Sequence, residues 1–578
     1  MQLIVHYLKR YKGLFLIDCL SVFGFALVEL GIPTLISKMI DEGVNVNQSS
    51  SLWNYWIIMV IISIVGVLGT IVLGYTCAKI STNVTRDIRD DVYAHAQKFS
   101  SEQMDHFGIS SMITRTNNDA YQIMLFLNVI LRMALMTPVM MIVSITLIIR
   151  ISLPLSYIVL ATIPLILLGV FFVAKVSEPI SEHQQTSIDR INQILRENIT
   201  GIRVIRSFNQ ETYEHDRFAK KNDYYRQESG KLFKLMSCTE PTFFLLMNIA
   251  SIGVYLVSCQ LLQVNAITLG DLLAFIEYLF HVMMSVLLFC MVFMMYPRAN
   301  VSAKRIMEVL NTKPTITDSS QAITLDQIET LQFDHVSFSY PGSEEAVLSD
   351  ISFTAHAGEK IAIIGSTGSG KSTLVKLIPR FYDVCKGNIL INGKDIRTYQ
   401  LKSLRAQMGY VAQKAHLFKG SIASNIAFGQ PEATMDEIEH AATIAQASDF
   451  ISVGEHGYQD EIAEDGTNVS GGQKQRLSIA RAILMKPSLY LYDDSFSALD
   501  FKTDANLRQA LKPEVKNAIF LVVAQRISTI MDADQILVLD EGKLVGQGTH
   551  EELLKTCETY QEIALSQLSR KELALHEV

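Results

Sequence analysis

Three stretches of the chain, 53–78, 153–174 and 241–263, contain no aspartate, glutamate, lysine or arginine. That absence excludes an ordinary soluble protein, because a core helix keeps a polar face, whereas a membrane span needs roughly 20 mainly apolar residues. An excess of basic residues is lacking too. The net charge is −8 over 578 residues, and no basic stripe is interleaved with aromatics, so nucleic acid is not an expected partner. The seven cysteines (Cys19, Cys77, Cys238, Cys259, Cys290, Cys385 and Cys557) show no metal-ligand spacing, and five lie in or beside apolar segments. They read as free thiols acting as small hydrophobes. The first apolar run follows Lys9, Arg10 and Lys12 but has no small-residue cleavage site. It is too long for a signal peptide and reads as a retained membrane helix.

A mean hydropathy of +0.24 is high for a chain with 19% charged residues, and the average hides a split. Apolar runs fill the first 300 or so positions, and a soluble α/β pattern begins near 320. Six segments are long enough to span a bilayer: about 13–36, 53–78, 121–149, 153–175, 241–263 and 272–297. Basic residues crowd the connections at 79–120 and 176–240, while those at 37–52 and 264–271 hold only Lys38. By the positive-inside rule the long connections and both termini are expected to be cytoplasmic. Residues 180–240 lack proline, and Ile188, Ile191, Ile194, Leu195 and Ile199 recur at helical spacing. Half out and half back, such a segment predicts helical stalks of about 45 Å each.

Glu29, Arg132, Glu277 and His281 lie within the predicted spans and must face a cavity or a partner. Glu277 and His281, four residues apart, share a helix face. Met283, Met284, Met291, Met294 and Met295 crowd the same helix. A methionine-rich wall adapts to varied apolar ligands, although ordinary helix packing produces the same pattern. Glu29, Arg132, Glu277, His281, Met284 and Met291 are therefore candidates for a substrate cavity, with interhelical packing the competing account.

The second half carries phosphate chemistry. "IAIIGSTGSGKST" (361–373) is an apolar strand followed by the pattern G-x-x-x-x-G-K-[ST]. In Gly365, Ser366, Thr367, Gly368, Ser369, Gly370, Lys371, Ser372 and Thr373 the backbone N–H groups are expected to cradle phosphate. Lys371 is expected to reach the β- and γ-phosphates, and the Ser372 hydroxyl to ligate Mg²⁺. "NVSGGQ" places Ser470, Gly471, Gly472 and Gln473 at a second anion-seeking helix start. "LYLYDDSFSALD" (489–500) is a buried strand ending in Asp493, suited to hold the metal, and Asp494.

These motifs resemble a half-transporter of the ATP-binding cassette superfamily, exporter type, over essentially the whole length. The resemblance implies a six-helix membrane domain fused to an α/β P-loop nucleotide-binding domain, with ATP and Mg²⁺ as cofactors. Expected boundaries are 1–310 for the membrane domain, 311–328 for a linker, 329–565 for the cassette and 566–578 for a tail. It further implies that Tyr340 stacks on adenine and that Gln413 approaches Mg²⁺ beside Ser372 and Asp493. Glu464 is expected to touch the stalks, Ser497–Asp500 to form the D-loop, and short coupling helices to lie near 101–106 and 209–214. Two such chains sandwich two ATP molecules, each between one chain's phosphate loop and the other's Ser470–Gln473 counterpart.

Two positions depart from the family pattern. Asp494 stands where a glutamate serves as general base, and Gln525 stands where a histidine meets the γ-phosphate. Aspartate withdraws the carboxylate by one C–C bond, about 1.5 Å. Glutamine donates a hydrogen bond but takes up no proton. The pattern is similar to the degenerate-site subunit of heterodimeric bacterial multidrug exporters. It implies efflux of amphipathic small molecules across a bacterial plasma membrane, with a partner half-transporter that supplies an intact glutamate and histidine. A lipid or lipid-linked flippase and a slow homodimeric exporter are the alternatives.

Overall fold

A computed structural model describes residues 2–44, 49–343 and 345–568. The end of the expected tail, from 569, lies outside them. The chain divides into two compact units. The first comprises Met1–Gln97 and Ser110–Thr312; the second comprises Lys98–Ile109 and everything from Lys313 onward.

Among the described residues of the first unit, six helices are long and apolar enough to cross a membrane. Together with one short helix of the second unit they run, in chain order, α1 Gln2–Glu42, α2 Leu52–Ala96, α3 Ser101–Phe107, α4 Ile109–Ile151, α5 Leu153–Thr200, α6 Glu211–Gln263 and α7 Leu269–Asn311. Each contains one of the predicted spans except α3. The 48 residues of α5 and 53 of α6 extend to roughly 72 and 80 Å at 1.5 Å per residue, against a hydrocarbon core of about 30 Å. The predicted stalks are therefore present as continuous helix.

Their junction differs from expectation. The short helix between them is Ile202–Ser207, not 209–214. Gly201 ends α5, Asn209 adopts φ 52°, and Glu211 already opens α6, so the turn falls on both sides of the predicted position. The other short helix, α3, agrees with its predicted place. Ser100 and Gln103 form a capping box at its start, satisfying two otherwise orphaned N–H groups.

Contacts between α1 and α7 are close. A Cβ on Gly270 would lie 2.3 Å from the Ser37 carbonyl oxygen, so only glycine admits this approach. One turn inward, Thr34 Oγ1 and Tyr278 Oη share a hydrogen bond of 2.6 Å.

The second unit is built on a six-stranded sheet and a four-stranded one. Its main elements are β1 Thr330–Phe338, β2 Leu348–His356, β3 Lys360–Gly365, α8 Lys371–Leu377, β4 Lys386–Ile391, β5 Met408–Val411, α9 Gly471–Leu484, β6 Leu489–Asp493, α10 Phe501–Glu514, β7 Ile519–Val523, β8 Gln535–Asp540 and β9 Lys543–Gly548. The larger sheet runs β9-β8-β3-β7-β6-β5, parallel except for the β8–β9 pair. Strands β6 and β7 are buried at every residue. Unbroken runs such as "IFLVV" are what a parallel sheet covered on both faces requires. The order β3-β7-β6 places the ends of three neighbouring strands side by side: β3 ends in Gly365 and β6 in Asp493, and Gln525 follows two residues after the end of β7.

Candidate functional site

The loop after β3 turns through Gly368 (φ 87°) and Gly370 (φ 95°), in the left-handed region that favours glycine. A Cβ at Gly370 would also meet Val347 O at 2.9 Å, while one at Gly368 would meet nothing within 4 Å. The loop is thus braced on one side and open on the other, which suits a phosphate cradle. Lys371 Nζ donates to the carbonyls of Gly365 (2.9 Å) and Ser366 (2.6 Å). Burial pushes its ammonium below the usual lysine range, while Asp494 and Asp493 pull it back up.

The Ser372 hydroxyl donates to Asp493 Oδ1 at 2.7 Å, which sets a hydroxyl and a carboxylate together. Such hard oxygens fit Mg²⁺, which takes one or two protein carboxylates and draws further ligands from phosphate and water. Burial raises the Asp493 carboxyl above the usual carboxylate range, and the Ser372 hydrogen bond and nearby Lys376 oppose the rise.

Asp494 lies just past β6 with φ 50°, and its N–H donates to Val523 O at 3.1 Å. Its Oδ2 accepts two amide donors, Gln525 Nε2 at 2.7 Å and Gln413 Nε2 at 3.0 Å. The two residues that depart from the family pattern therefore touch each other. Burial raises the Asp494 carboxyl as well, against the hydrogen bonds from Gln413, Ser497 and Gln525. Ser497 Oγ donates to the Asp494 carbonyl at 2.8 Å, tying the D-loop to the same residue. Asp500 caps α10 by accepting from Thr503 N at 2.9 Å, and that hydrogen bond holds its carboxyl below the usual range.

Tyr340 Oη and Thr373 Oγ1 lie 3.1 Å apart, fixing the ring beside the loop. Phe338 and Tyr382 meet the same ring edge-on, with centroids at 5.0 and 5.3 Å. Tyr382 in turn donates to Asp105 of α3 at 2.8 Å. The sequence reading missed Tyr382 and Asp105, which lie 277 residues apart and carry no local motif. Ser470 caps α9, with Gln473 N–H donating back to its Oγ at 3.3 Å. Among the described residues, no hydrogen bond joins Ser470, Gly471, Gly472 or Gln473 to the loop at 365–373. Glu464 is exposed and opens a 3₁₀ turn, Glu464–Gly466, that ends in the buried Gly466.

In the membrane unit the candidates separate. Glu29, Glu277 and His281 line one pocket of about 560 Å³ between α1, α6 and α7. His281 Nε2 lies 3.6 Å from Glu29 Oε2. Arg132, Met284 and Met291 do not line it. Arg132 sits exposed on a π-helical turn of α4; Met284 packs, with the fully buried Met283, against the interhelical core; Met291 is exposed further along α7. The Met294 side chain lies outside the described residues. Packing accounts for Met283 and Met284, so the methionine-wall reading fails there.

A further buried carboxylate, Asp18, escaped the sequence reading. Its Oδ1 accepts from Thr76 (2.6 Å) and Cys77 Sγ (3.2 Å), so Cys77 is a hydrogen-bond donor as well as a small hydrophobe. The lone Asp within "LFLIDCLSVF" was the available signal.

Two family models match the chain: the ABC transporter transmembrane region over residues 15–286 and the ABC transporter domain over 348–497. An uncharacterized ABC transporter ATP-binding protein of Mycobacterium tuberculosis, MT1311, is 34% identical, covering 98% of each chain. The chain belongs to the ABC transporter family. Bacillus subtilis YgaD, a putative multidrug export ATP-binding/permease protein, is 32% identical over 96% of this chain and 97% of its own. The solved structure of a bacterial Atm1-family ABC exporter with ATP bound superimposes with a TM-score of 0.81 at 25% identity, covering 97% of this chain and 98% of that one. This ABC exporter is thus a multi-pass membrane protein whose cassette binds ATP to drive transport.

Proposed function

We propose that this ABC exporter is the slow-site subunit of a heterodimer that expels amphipathic small molecules. The observation that carries the reading is the double hydrogen bond at Asp494 Oδ2, from Gln525 at 2.7 Å and Gln413 at 3.0 Å. A general base needs a free lone pair directed at the attacking water. Here one oxygen of the shorter carboxylate, Oδ2, is taken by two amides that take up no proton, and only Oδ1 is left to meet a water. In this reading Lys371 and the loop hold phosphate, Tyr340 meets the base, and Ser372 with Asp493 and Gln413 would hold Mg²⁺. When bound there, Mg²⁺ would supply positive charge that offsets the charge of the phosphates. Lys371 supplies the fixed positive charge beside it, and Tyr340, braced by Thr373, orients the nucleotide.

In this reading Ser470–Gln473 complete the partner's ATP site, and that partner carries the intact glutamate and histidine. The membrane domain spans 1–310, the linker 311–328, the cassette 329–565 and the tail 566–578. Both termini face the cytoplasm of a bacterial cell, as the lysine and arginine distribution indicates, and α3 with Ile202–Ser207 transmits cassette closure. The name of the B. subtilis relative supports multidrug cargo.

The test is ATP hydrolysis by the reconstituted pair. Asp494→Asn is expected to change the rate less than twofold, while Glu→Gln at the partner's base position removes most of it. Equal losses from the two substitutions, or a homodimer of this chain turning over at tens per second, would sink the asymmetric reading.

A further inference from the structure

We propose that the pocket between α1, α6 and α7 binds small lipophilic cations. Its volume of about 560 Å³ falls in the range that encloses one drug-sized molecule. Val28, Ile32 and Leu273 give it apolar walls, into which Glu29, Glu277 and His281 introduce two carboxyls and an imidazole. Two carboxylates face one imidazole, and no lysine or arginine lines the space. His281 Nε2 lies 3.6 Å from Glu29 Oε2, beside it but beyond hydrogen-bond length. Glu277, one helical turn from His281 on the same face, is exposed, and no salt bridge joins it to a cation among the described residues.

Helix packing explains why Glu29 of α1 and His281 of α7 lie side by side. It does not explain Glu277. A carboxylate without a cationic partner at this depth of a membrane protein is costly, and a positive ligand offsets that cost whereas an anion adds to it. Tyr255, 48% exposed, lines the same space from α6 and adds an aromatic ring, a group that attracts cations. Acid, aromatic ring and apolar wall together select a cation with greasy substituents. The larger groove along α1, about 770 Å³, is lined by apolar, glycine, serine and threonine residues and offers no such discrimination. The proposal rests on the export reading, because a captured cation matters to this chain as cargo.

The test uses two probes of nearly the same shape and opposite charge. Saturation binding of tetraphenylphosphonium and, separately, tetraphenylborate is measured on the full chain in phosphatidylcholine nanodiscs, with empty discs subtracted. One tetraphenylphosphonium per chain is expected, with no specific tetraphenylborate binding. Glu277→Gln and Glu29→Gln, both near-isosteric, should each weaken the cation about tenfold. Equal binding of the two probes by the wild-type chain overturns the proposal, as does unchanged cation affinity in both variants. Displacement of the probe by a cationic two-chain lipid doped into the discs also overturns it, assigning the pocket to lipid headgroups. ATP-driven efflux by the chain with its partner separates the two readings. Efflux of amphipaths without charge-selective binding refutes only the pocket, whereas no efflux of any amphipath refutes the export reading.

Discussion

The contact between Asp494 and Gln525 makes a quantitative prediction for a double-mutant cycle. Asp494→Glu advances the carboxylate by about 1.5 Å, and correcting a displacement of about 1 Å is worth roughly a hundredfold where geometry limits rate. Glutamate alone should not collect that gain, because the Gln525 amide, now 2.7 Å from the carboxylate, still competes for it. We expect Asp494→Glu to raise hydrolysis about tenfold, Gln525→His to change it less than about twofold, and the pair to raise it about a hundredfold. The pair then exceeds the product of the single changes by about fivefold, roughly 1 kcal/mol, within the range for residues in direct contact. Asp494 also sits at φ 50°, where a longer acid is tolerated less well, so the glutamate variant should lose up to about 1 kcal/mol of stability. The assay is steady-state ATP hydrolysis by the full chain paired with a partner whose own base is Glu→Gln, so that only this site turns over. Recovery of the whole hundredfold by Asp494→Glu alone, or strict multiplicativity of the two changes, would refute the reasoning.

Two further outcomes are expected. Tyr382→Phe removes the hydroxyl that donates to Asp105 at 2.8 Å; the loss of about 1 kcal/mol should speed amide hydrogen exchange in Ser101–Phe107 roughly fivefold, and unchanged exchange would show the bond to be idle. The Asp500 carboxyl is depressed by its cap on Thr503, so its contribution is fully present above the ordinary carboxylate value of about 3.9 and fades as pH falls through the lower folded value. Exchange in Phe501–Glu514 should therefore quicken as pH falls below about 3.9, beyond the intrinsic change, and Asp500→Asn should flatten that excess.

Much of the fold was legible because the strongest signals are local. Charge-free runs located the spans, and "IAIIGSTGSGKST" announced a strand, a turn and a helix start within 13 residues. The stalks followed from absent proline and recurring isoleucine. Illegible features all depended on tertiary contact. The turn between the stalks moved because Gly201 and Asn209 terminate helices by backbone conformation, which periodicity does not register. Asp18 was overlooked inside an apolar run, and its partners Thr76 and Cys77 lie on another helix. Glu29, Glu277 and His281 could be suspected singly, but only the packing of α1 against α7 shows that they share a pocket and that Arg132 and Met284 do not.

The same dependence on contact bears on how Asp494 and Gln525 came to differ from the family pattern. They are 31 residues apart in the chain. Strands β6 and β7 pair in parallel with Asp493 opposite Val523, so the residues after each strand end as neighbours. The shortened acid, only 5% exposed, accepts from the amide that replaces the imidazole and from Gln413 as well. Each departure satisfies the other, and the neighbouring Ser372–Asp493 and Lys371 contacts remain in order. A satisfied pair beside unaltered phosphate and metal positions is what the proposed ATP-holding site requires.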